Sequence, residues 1–337
     1  MNLNFEHRST AHCETGVISN LMNFYGIKLS EPMAFGIGAG LFFVCMPFVP
    51  FKGNMMKFSF RTLPGAVFKH SMKNLKIKVG RKNRFFNKEK AMKKVDDLLA
   101  QGIPVGNVVG LYFLPHTPLR IHFNAHHLCV IGKEGDIYTV SDPTVASIQN
   151  LSSDVLKKVR FSRGMLRPQG KMYWIKEKPN ESLDLKSAII KGIKTTCYNM
   201  LDIPILPIGV NGITSLSKQI RNIEKKYGEQ DALFFLATLL QAMEEFGTGG
   251  AGFRFLYSAF LYEAAEVLQK MKLKVLAEEM SIIGDLWRAF ALECGRKFKN
   301  RSNESCNELA DRLLVIAEKE KRFFVSLRKF INTECKK

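Results

Sequence analysis

A thiol becomes a useful nucleophile when an imidazole can take its proton and a carboxylate can hold that imidazole. The chain offers such a set in Cys13, the tandem His126-His127 and Asp142. Cys13 stands where a helix should begin. Val17, Ile18, Leu21, Met22 and Phe24 are apolar at helical spacing, and Gly26 stops the run. The N-terminus of a helix favours an anion, because the macrodipole and the unpartnered amides of the first turn both point at it. The same position lets the Cys13 amide aim at a developing oxyanion. The chemistry expected of this set is acyl transfer through a cysteine thioester.

The histidines and the aspartate need strands to present them. Residues 127–131 and 137–141 read as the arms of a β-hairpin about Glu134-Gly135-Asp136, and Asp142-Pro143 closes the second arm. Antiparallel pairing about that turn brings Asp142 opposite either histidine, so pairing alone leaves His126 and His127 both open as the base. The blander reading of each residue is also open. A helical cysteine is commonly a small core residue, and Asp-Pro ends strands because proline cannot continue a ladder.

Around this set we expect a strand through Leu75, Ile77 and Val79, and a helix capped by Asn87 that ends at Gly102. An apolar strand over 103–114 and a short one over 172–175 follow. Beyond about residue 180 the periodicity becomes helical throughout, with helices near 183–200, 214–226, 230–246, 253–270, 272–299 and 303–332. The expected fold class is α+β: a helix packed on an antiparallel sheet over 1–178, then an all-α domain over 181–337, divided near Pro179-Asn180.

Composition narrows the function. The seven cysteines are scattered without a CxxC pair, which argues against a disulfide framework or a zinc site and for a reducing, cytoplasmic setting. His70, His116 and His122 have no metal-ligand spacing, so no metal is expected. The opening residues show no apolar signal-peptide core. Residues 32–51 carry no charge and are about long enough to span a bilayer, but Pro47, Pro50 and three glycines would break the helix. A buried turn of helix followed by a loop and a strand is expected there, and no membrane span.

Charge is concentrated in the first half. Residues 1–180 hold 26 Lys/Arg against 11 Asp/Glu, a net of +15, while 181–337 hold 24 against 20, a net of +4. Eleven basic residues and one acid fall in 69–94. Such a field attracts an acidic partner. No nucleic-acid motif accompanies it, so nucleic acid is not the expected partner. The glycines of 35–40 follow no strand and lack GK[ST], so close packing against the nucleophile helix explains them better than a phosphate loop. Gly247–Gly252 before Arg254 could form a nest of amides for the phosphate of a phosphopantetheine arm, with Arg254 as a substrate contact; a helix–helix turn is the plainer reading.

His12-Cys13-Glu14-Thr15, Gly26, Ser30-Glu31 and Phe35 through Gly40-Leu41 resemble the start of the butirosin biosynthesis protein H N-terminal family. Leu114-Pro115, Ala125-His126-His127-Leu128 and Ser141-Asp142-Pro143 resemble the same family further on. Gly249-Gly250, the stretch from Phe253 to Ala265, and Trp287 are similar to the helical domain that commonly follows it. The resemblance implies a papain-like, C39-related cysteine protease-type fold for the N-terminal domain. It also implies transfer of an aminoacyl group from an acyl carrier protein thioester to a small-molecule amine acceptor. Carried to this chain, Cys13 is the nucleophile, His126 the base and Asp142 its orienting group, since the separation of 16 residues suits His126 better than His127, the alternative base. Papain-like enzymes usually place a glutamine six residues before the cysteine for the oxyanion hole; His7 stands here, and either donates in its place or leaves the role to a backbone amide. The chain itself needs no cofactor, although a carrier donor would bring phosphopantetheine. Two other functions share these residues: a cysteine peptidase or amidase with the same triad, and a non-catalytic binding protein in which Cys13 is no more reactive than Cys45 or Cys129.

Overall fold

The computed structural model describes residues 2–46, 57–118, 120–180 and 182–335. In chain order the elements are α1 (Cys13–Phe24), α2 (Glu31–Ile37), β1 (Leu41–Cys45), β2 (Phe58–Arg61), α3 (Ala66–Asn74), β3 (Val79–Lys82), α4 (Lys88–Leu99), β4 (Val105–Val109), β5 (His126–Glu134), β6 (Ile137–Ser141), β7 (Gln149–Ser152), α5 (Ser153–Arg160) and β8 (Met172–Ile175). Helices follow: α6 (Leu185–Leu201), α7 (Gly209–Arg221), α8 (Ile223–Tyr227), α9 (Glu229–Glu244), α10 (Arg254–Leu268), α11 (Lys272–Phe298) and α12 (Cys306–Glu334). The architecture is α+β, with an antiparallel sheet in the first part of the chain and helices in the second.

The residues gather into two compact units, Met1–Ala34 with Leu75–Leu183, and Phe35–Asn74 with Asp184–Lys337. The expected division treats 1–178 as one block, whereas 35–74 has its contacts in the helical unit.

The first unit is built on a six-stranded sheet in the order β3-β8-β4-β5-β6-β7, antiparallel at every pairing. One face is closed by Val95, Leu98 and Leu99 of α4 and Leu156 and Val159 of α5, packed on Val109, Leu128, Val130, Val140 and Met172. Both helices are capped by side chains. Asn87 accepts from the Lys90 amide, and Ser152 from that of Val155. Arg160, fully buried, donates to the carbonyls of Ala91 and Gly170 and so ties α4 to the approach of β8. The other face of β5 carries α1, where Glu14 and His127 are both buried and 3.9 Å apart.

The β5–β6 hairpin contains a one-residue bulge. Gly132, Lys133 and Glu134 pair with Thr139, Tyr138 and Ile137, but Val130 pairs with Val140 and Cys129 with Ser141, so Ile131 is extra. The N-terminal segment braces this point. The Leu3 amide donates to the Ile131 carbonyl at 3.0 Å, and Asn2 bridges Gly132, where any Cβ would lie 1.9 Å from Asn2 Oδ1.

Several elements differ from expectation. The apolar run 103–114 is only partly strand, because after Gly110 the chain tightens into a 3₁₀ turn over Leu111–Phe113. The strand expected through Leu75 and Ile77 begins only at Val79, since Lys76 closes α3 with a φ of 56°. β7 and α5 were hidden by their polar composition, and so were not expected. Of residues 32–51, the described part is α2 followed by β1, and 47–51 lie outside the described residues. Among the described residues no helix is long and apolar enough to cross a membrane.

In the second unit, β1 and β2 pair antiparallel, and Phe43 and Phe60 pack on Trp287 of α11 with ring centroids 5.9 and 5.5 Å away. The glycines of 35–40 do serve close packing, but not against α1. A Cβ on Gly36 would meet the Phe260 ring at 2.1 Å, and one on Gly38 would meet Val67 at 2.6 Å.

Candidate active site

Cys13, His126 and Asp142 meet within the first unit. Cys13 opens α1 and is 7% exposed. His12 precedes it without a side-chain cap, so the segment is held from elsewhere. Glu31 accepts from the amides of Ala11 at 3.1 Å and His12 at 2.7 Å, and from Thr15 Oγ1 at 3.1 Å. Burial of Glu31 outweighs those hydrogen bonds and holds its carboxyl above the usual carboxylate range. Gly16 brings α1 close to the residue after the aspartate. A Cβ there would lie 2.0 Å from Thr10 Oγ1 and 2.5 Å from Pro143 Cβ. The Thr10 amide in turn donates to the Pro143 carbonyl at 2.7 Å.

The bulge decides which histidine meets Asp142. Residues paired across antiparallel strands share a face, and a slip of one residue exchanges faces. With Cys129 opposite Ser141, Asp142 falls opposite Leu128 and shares a face with His126. Were Ile131 paired in regular register instead of bulged out, Asp142 would fall opposite Cys129 and share a face with His127. Asp142 therefore reaches His126 diagonally rather than straight across, with Oδ2 2.7 Å from Nε2. His127 points the other way, where Nδ1 meets Tyr173 Oη at 2.8 Å beside Glu14.

His126 also hydrogen-bonds the Cys13 thiol. With Nε2 engaged by Asp142, Nδ1 is the ring nitrogen left for sulfur. Burial works against a charged His126, but the charge of Asp142, that of Cys13 and the hydrogen bonds from both prevail and raise the imidazole to about 10. Burial likewise opposes ionisation of Asp142. The His126 charge and hydrogen bonds from His116, His126 and Thr144 hold its carboxyl far below the usual range. Oδ1 accepts from the Thr144 amide at 3.0 Å and its hydroxyl at 2.8 Å, while His116 Nε2 lies 2.9 Å from Oδ2. Thr144, two residues past an aspartate, is a legible Asx-turn signal. His116 sits in an aperiodic loop and left none.

Two expected site residues stand differently. Both ring nitrogens of His7 are engaged, Nε2 with the Val145 carbonyl at 3.0 Å and Nδ1 with Ser141 Oγ at 2.8 Å. A carbonyl only accepts, so Nε2 donates to it; Nδ1 is taken by Ser141, and the ring has no donor left for an oxyanion. Arg254 lies in the second unit, fully buried. It donates to both oxygens of Glu320 and to the Gly252 carbonyl, so its guanidinium holds the fold instead of meeting a substrate. Gly247–Gly252 forms a turn in which Glu244 takes the Ala251 amide at 2.9 Å and Thr248 takes that of Gly250 at 3.0 Å. Among the described residues no three His, Cys, Asp or Glu side chains are placed to hold a metal ion, and all seven cysteines are unpaired.

Two family models match the chain. The N-terminal domain of butirosin biosynthesis protein H matches residues 12–143, and a domain of unknown function, DUF4872, matches residues 154–327. No curated protein matches. A solved structure described as a C39-like peptidase from Bacillus anthracis is 15% identical, covering 52% of this chain and 96% of its own, with a TM-score of 0.36. The chain belongs to the DUF4872 family, in the form in which that domain follows a butirosin biosynthesis protein H N-terminal domain.

Proposed function

We propose that the protein is a cysteine-dependent acyltransferase that takes an acyl or aminoacyl group from a carrier-protein thioester and passes it to an amine. The observation that carries this reading is the buried relay in which one ring nitrogen of His126 meets the Cys13 thiol and the other lies 2.7 Å from Asp142. Cys13 Sγ attacks the thioester carbonyl and His126 takes the thiol proton. The carbon–sulfur bond to the carrier breaks, and His126 returns the proton to the departing thiol. An amine then attacks the Cys13 thioester, gives its proton to His126, and leaves as the amide while the proton goes back to Cys13. Asp142 stays ionised throughout and stabilises the imidazolium. The first-turn amides of α1, which have no intrahelical acceptor, are the donors available to the oxyanion.

The donor is argued from charge. Arg81, Lys82, Arg84, Lys88, Lys90 and Lys93 are exposed along β3, α4 and the loop between them, a surface suited to an acidic carrier protein. A carrier would bring its own phosphopantetheine arm, and this chemistry asks for no other cofactor. The matched family description, which names a biosynthesis protein, agrees with synthesis over breakdown. Unpaired cysteines suit a reducing compartment such as the cytoplasm.

The test is acylation by an N-acetylcysteamine thioester, a truncated phosphopantetheine mimic, followed by intact-mass and peptide mapping. The reading expects an adduct on Cys13 that is absent in Cys13→Ala and His126→Ala and is discharged faster by primary amines than by water. Discharge by water whatever the amine makes the site a hydrolase. No adduct, with Cys13 no more reactive than Cys45 or Cys129, leaves a binding protein of this fold.

A further inference from the structure

The aspartate of the thiol site has a second histidine. His116, in the loop between β4 and β5, brings Nε2 to 2.9 Å from Asp142 Oδ2, the oxygen that His126 Nε2 reaches at 2.7 Å. Because a carboxylate only accepts, both rings present Nε2–H to it. We propose that His116 is a positioning residue of this site, whose hydrogen bond to Oδ2 limits the share of the Asp142 charge that His126 receives. The inference rests on Cys13 and His126 acting as proposed above.

Three observations carry it. The His116 side chain is 6% exposed, yet its Nδ1 has no hydrogen-bond partner among the described residues. A buried polar atom left unpaired is unfavourable, and an apolar ring would fill the space without it. Second, the loop is held firmly. Leu114 is fully buried, and Arg120 donates to the carbonyls of Thr117 at 2.7 Å and Leu114 at 3.3 Å. Third, Asp142 does not need His116 to be oriented, since Thr144 already gives Oδ1 two hydrogen bonds. What His116 adds is a donor on the oxygen that faces the base. Two donors on one oxygen divide its charge, so the imidazolium of His126 is held less tightly than one donor would allow. A base held too tightly as imidazolium cannot accept the proton of the incoming amine.

The groups that bear on His126 are Asp142 at the end of β6, Cys13 at the head of α1 and, through Asp142, His116. Glu14 and Tyr173 gather instead around His127.

The experiment acylates Cys13 with the acetyl thioester of N-acetylcysteamine and follows discharge by ethanolamine against pH, in wild type, His116→Phe, His116→Asn and His116→Gln, with His126→Ala as control. His116→Phe removes the donor and keeps the ring volume. His116→Asn carries a donor too short to reach, and His116→Gln places an amide N–H near the position of Nε2. The midpoint of discharge should rise by about one pH unit in the Phe and Asn variants, the worth of one hydrogen bond to a charged group. Below the midpoint that is about tenfold slower discharge, and His116→Gln should restore the wild-type profile. An unchanged or lowered midpoint in either donorless variant overturns the inference while the thiol–imidazole site stands. If His126→Ala is acylated at Cys13 and discharges as the wild type does, the site itself is wrong and the inference falls with it.

Discussion

Each compact unit buries a paired carboxylate, Glu320 in one and Asp142 in the other, and the clusters around them are built to opposite ends. In the helical unit, Arg254 is bidentate to Glu320, Trp287 Nε1 adds a third hydrogen bond at 2.6 Å, and Gly252 takes another guanidinium proton. The Arg254 guanidinium also lies over the Trp287 ring, 5.0 Å from its centroid. Both charged members are fully buried, and their strong hydrogen-bonding capacity goes to one another. In the sheet unit, Asp142 is as well satisfied, but the histidine it holds passes its remaining nitrogen to a thiol. The first arrangement is closed and can only hold. The second is open at sulfur, where a reactant can enter. Burial and pairing alone do not mark a site; a paired group with capacity left over does.

The largest effect that would sharpen this contrast is on stability. Glu320→Ala strands a buried guanidinium and should cost about 3–5 kcal/mol in denaturant unfolding, while the alkylation profile of Cys13 in the folded protein stays unchanged. A changed profile would break the division of labour. Next comes His126→Ala. Loss of the imidazole removes the group that takes the thiol proton, and iodoacetamide labelling of Cys13 at pH 6 should slow about 100-fold. Cys45, whose thiol burial pushes up to about 11, should label slowly in both proteins.

Gly16→Val drives a side chain into Thr10 and Pro143 and should separate α1 from the Asp142 loop. A displacement near 1 Å slows acylation on the order of 10²-fold, and a fully active variant would show that the close approach is dispensable. The Asp142–His126 pair also predicts a pH signature. The His126 value rises from 6.5 in the unfolded chain to about 10 in the fold, so its stabilisation is complete below 6.5 and is lost as pH rises through about 10. Melting temperature should therefore fall between pH 7 and 10, less steeply in Asp142→Asn; equal slopes would remove the pair as the cause. Smallest of all, His7→Ala should leave acylation within about twofold, as expected of a ring that only joins Ser141 to Val145.

The identity of the site residues was more legible in the sequence than the geometry that joins them. Cys13 could be placed at a helix start because apolar spacing and Gly26 frame that helix, and Met172–Ile175 stood out as an isolated apolar strand. Arg254 looked like a ligand contact because its partner Glu320 is far away in sequence and lies on another helix. The choice of His126 over His127 could not come from counting back from the turn, because one uncounted residue reverses it. Nothing in Val130-Ile131-Gly132 marks a bulge except the glycine, whose need for space is met by Asn2 from the far end of the unit. His116 reaches Asp142 through a loop without periodicity, so no pattern could join them.

That single inserted residue acts as a parity bit. The tandem histidines supply two candidate bases on opposite faces of one strand, and whether the extra residue is bulged out or paired selects between them. If β5 and β6 paired regularly with every residue retained, Asp142 would turn away from His126 and toward the face of Glu14 and Tyr173; removing Ile131 itself only takes out the bulge and leaves Asp142 opposite Leu128. A one-residue change on the histidine side of the bulge is thus a change of active site, whereas loss of the bulge residue itself is neutral for the pairing. Deletion of Ile131 should therefore keep the His126–Asp142 pair, whereas deletion of Cys129, between the bulge and the histidines, should exchange the two histidines and abolish acylation.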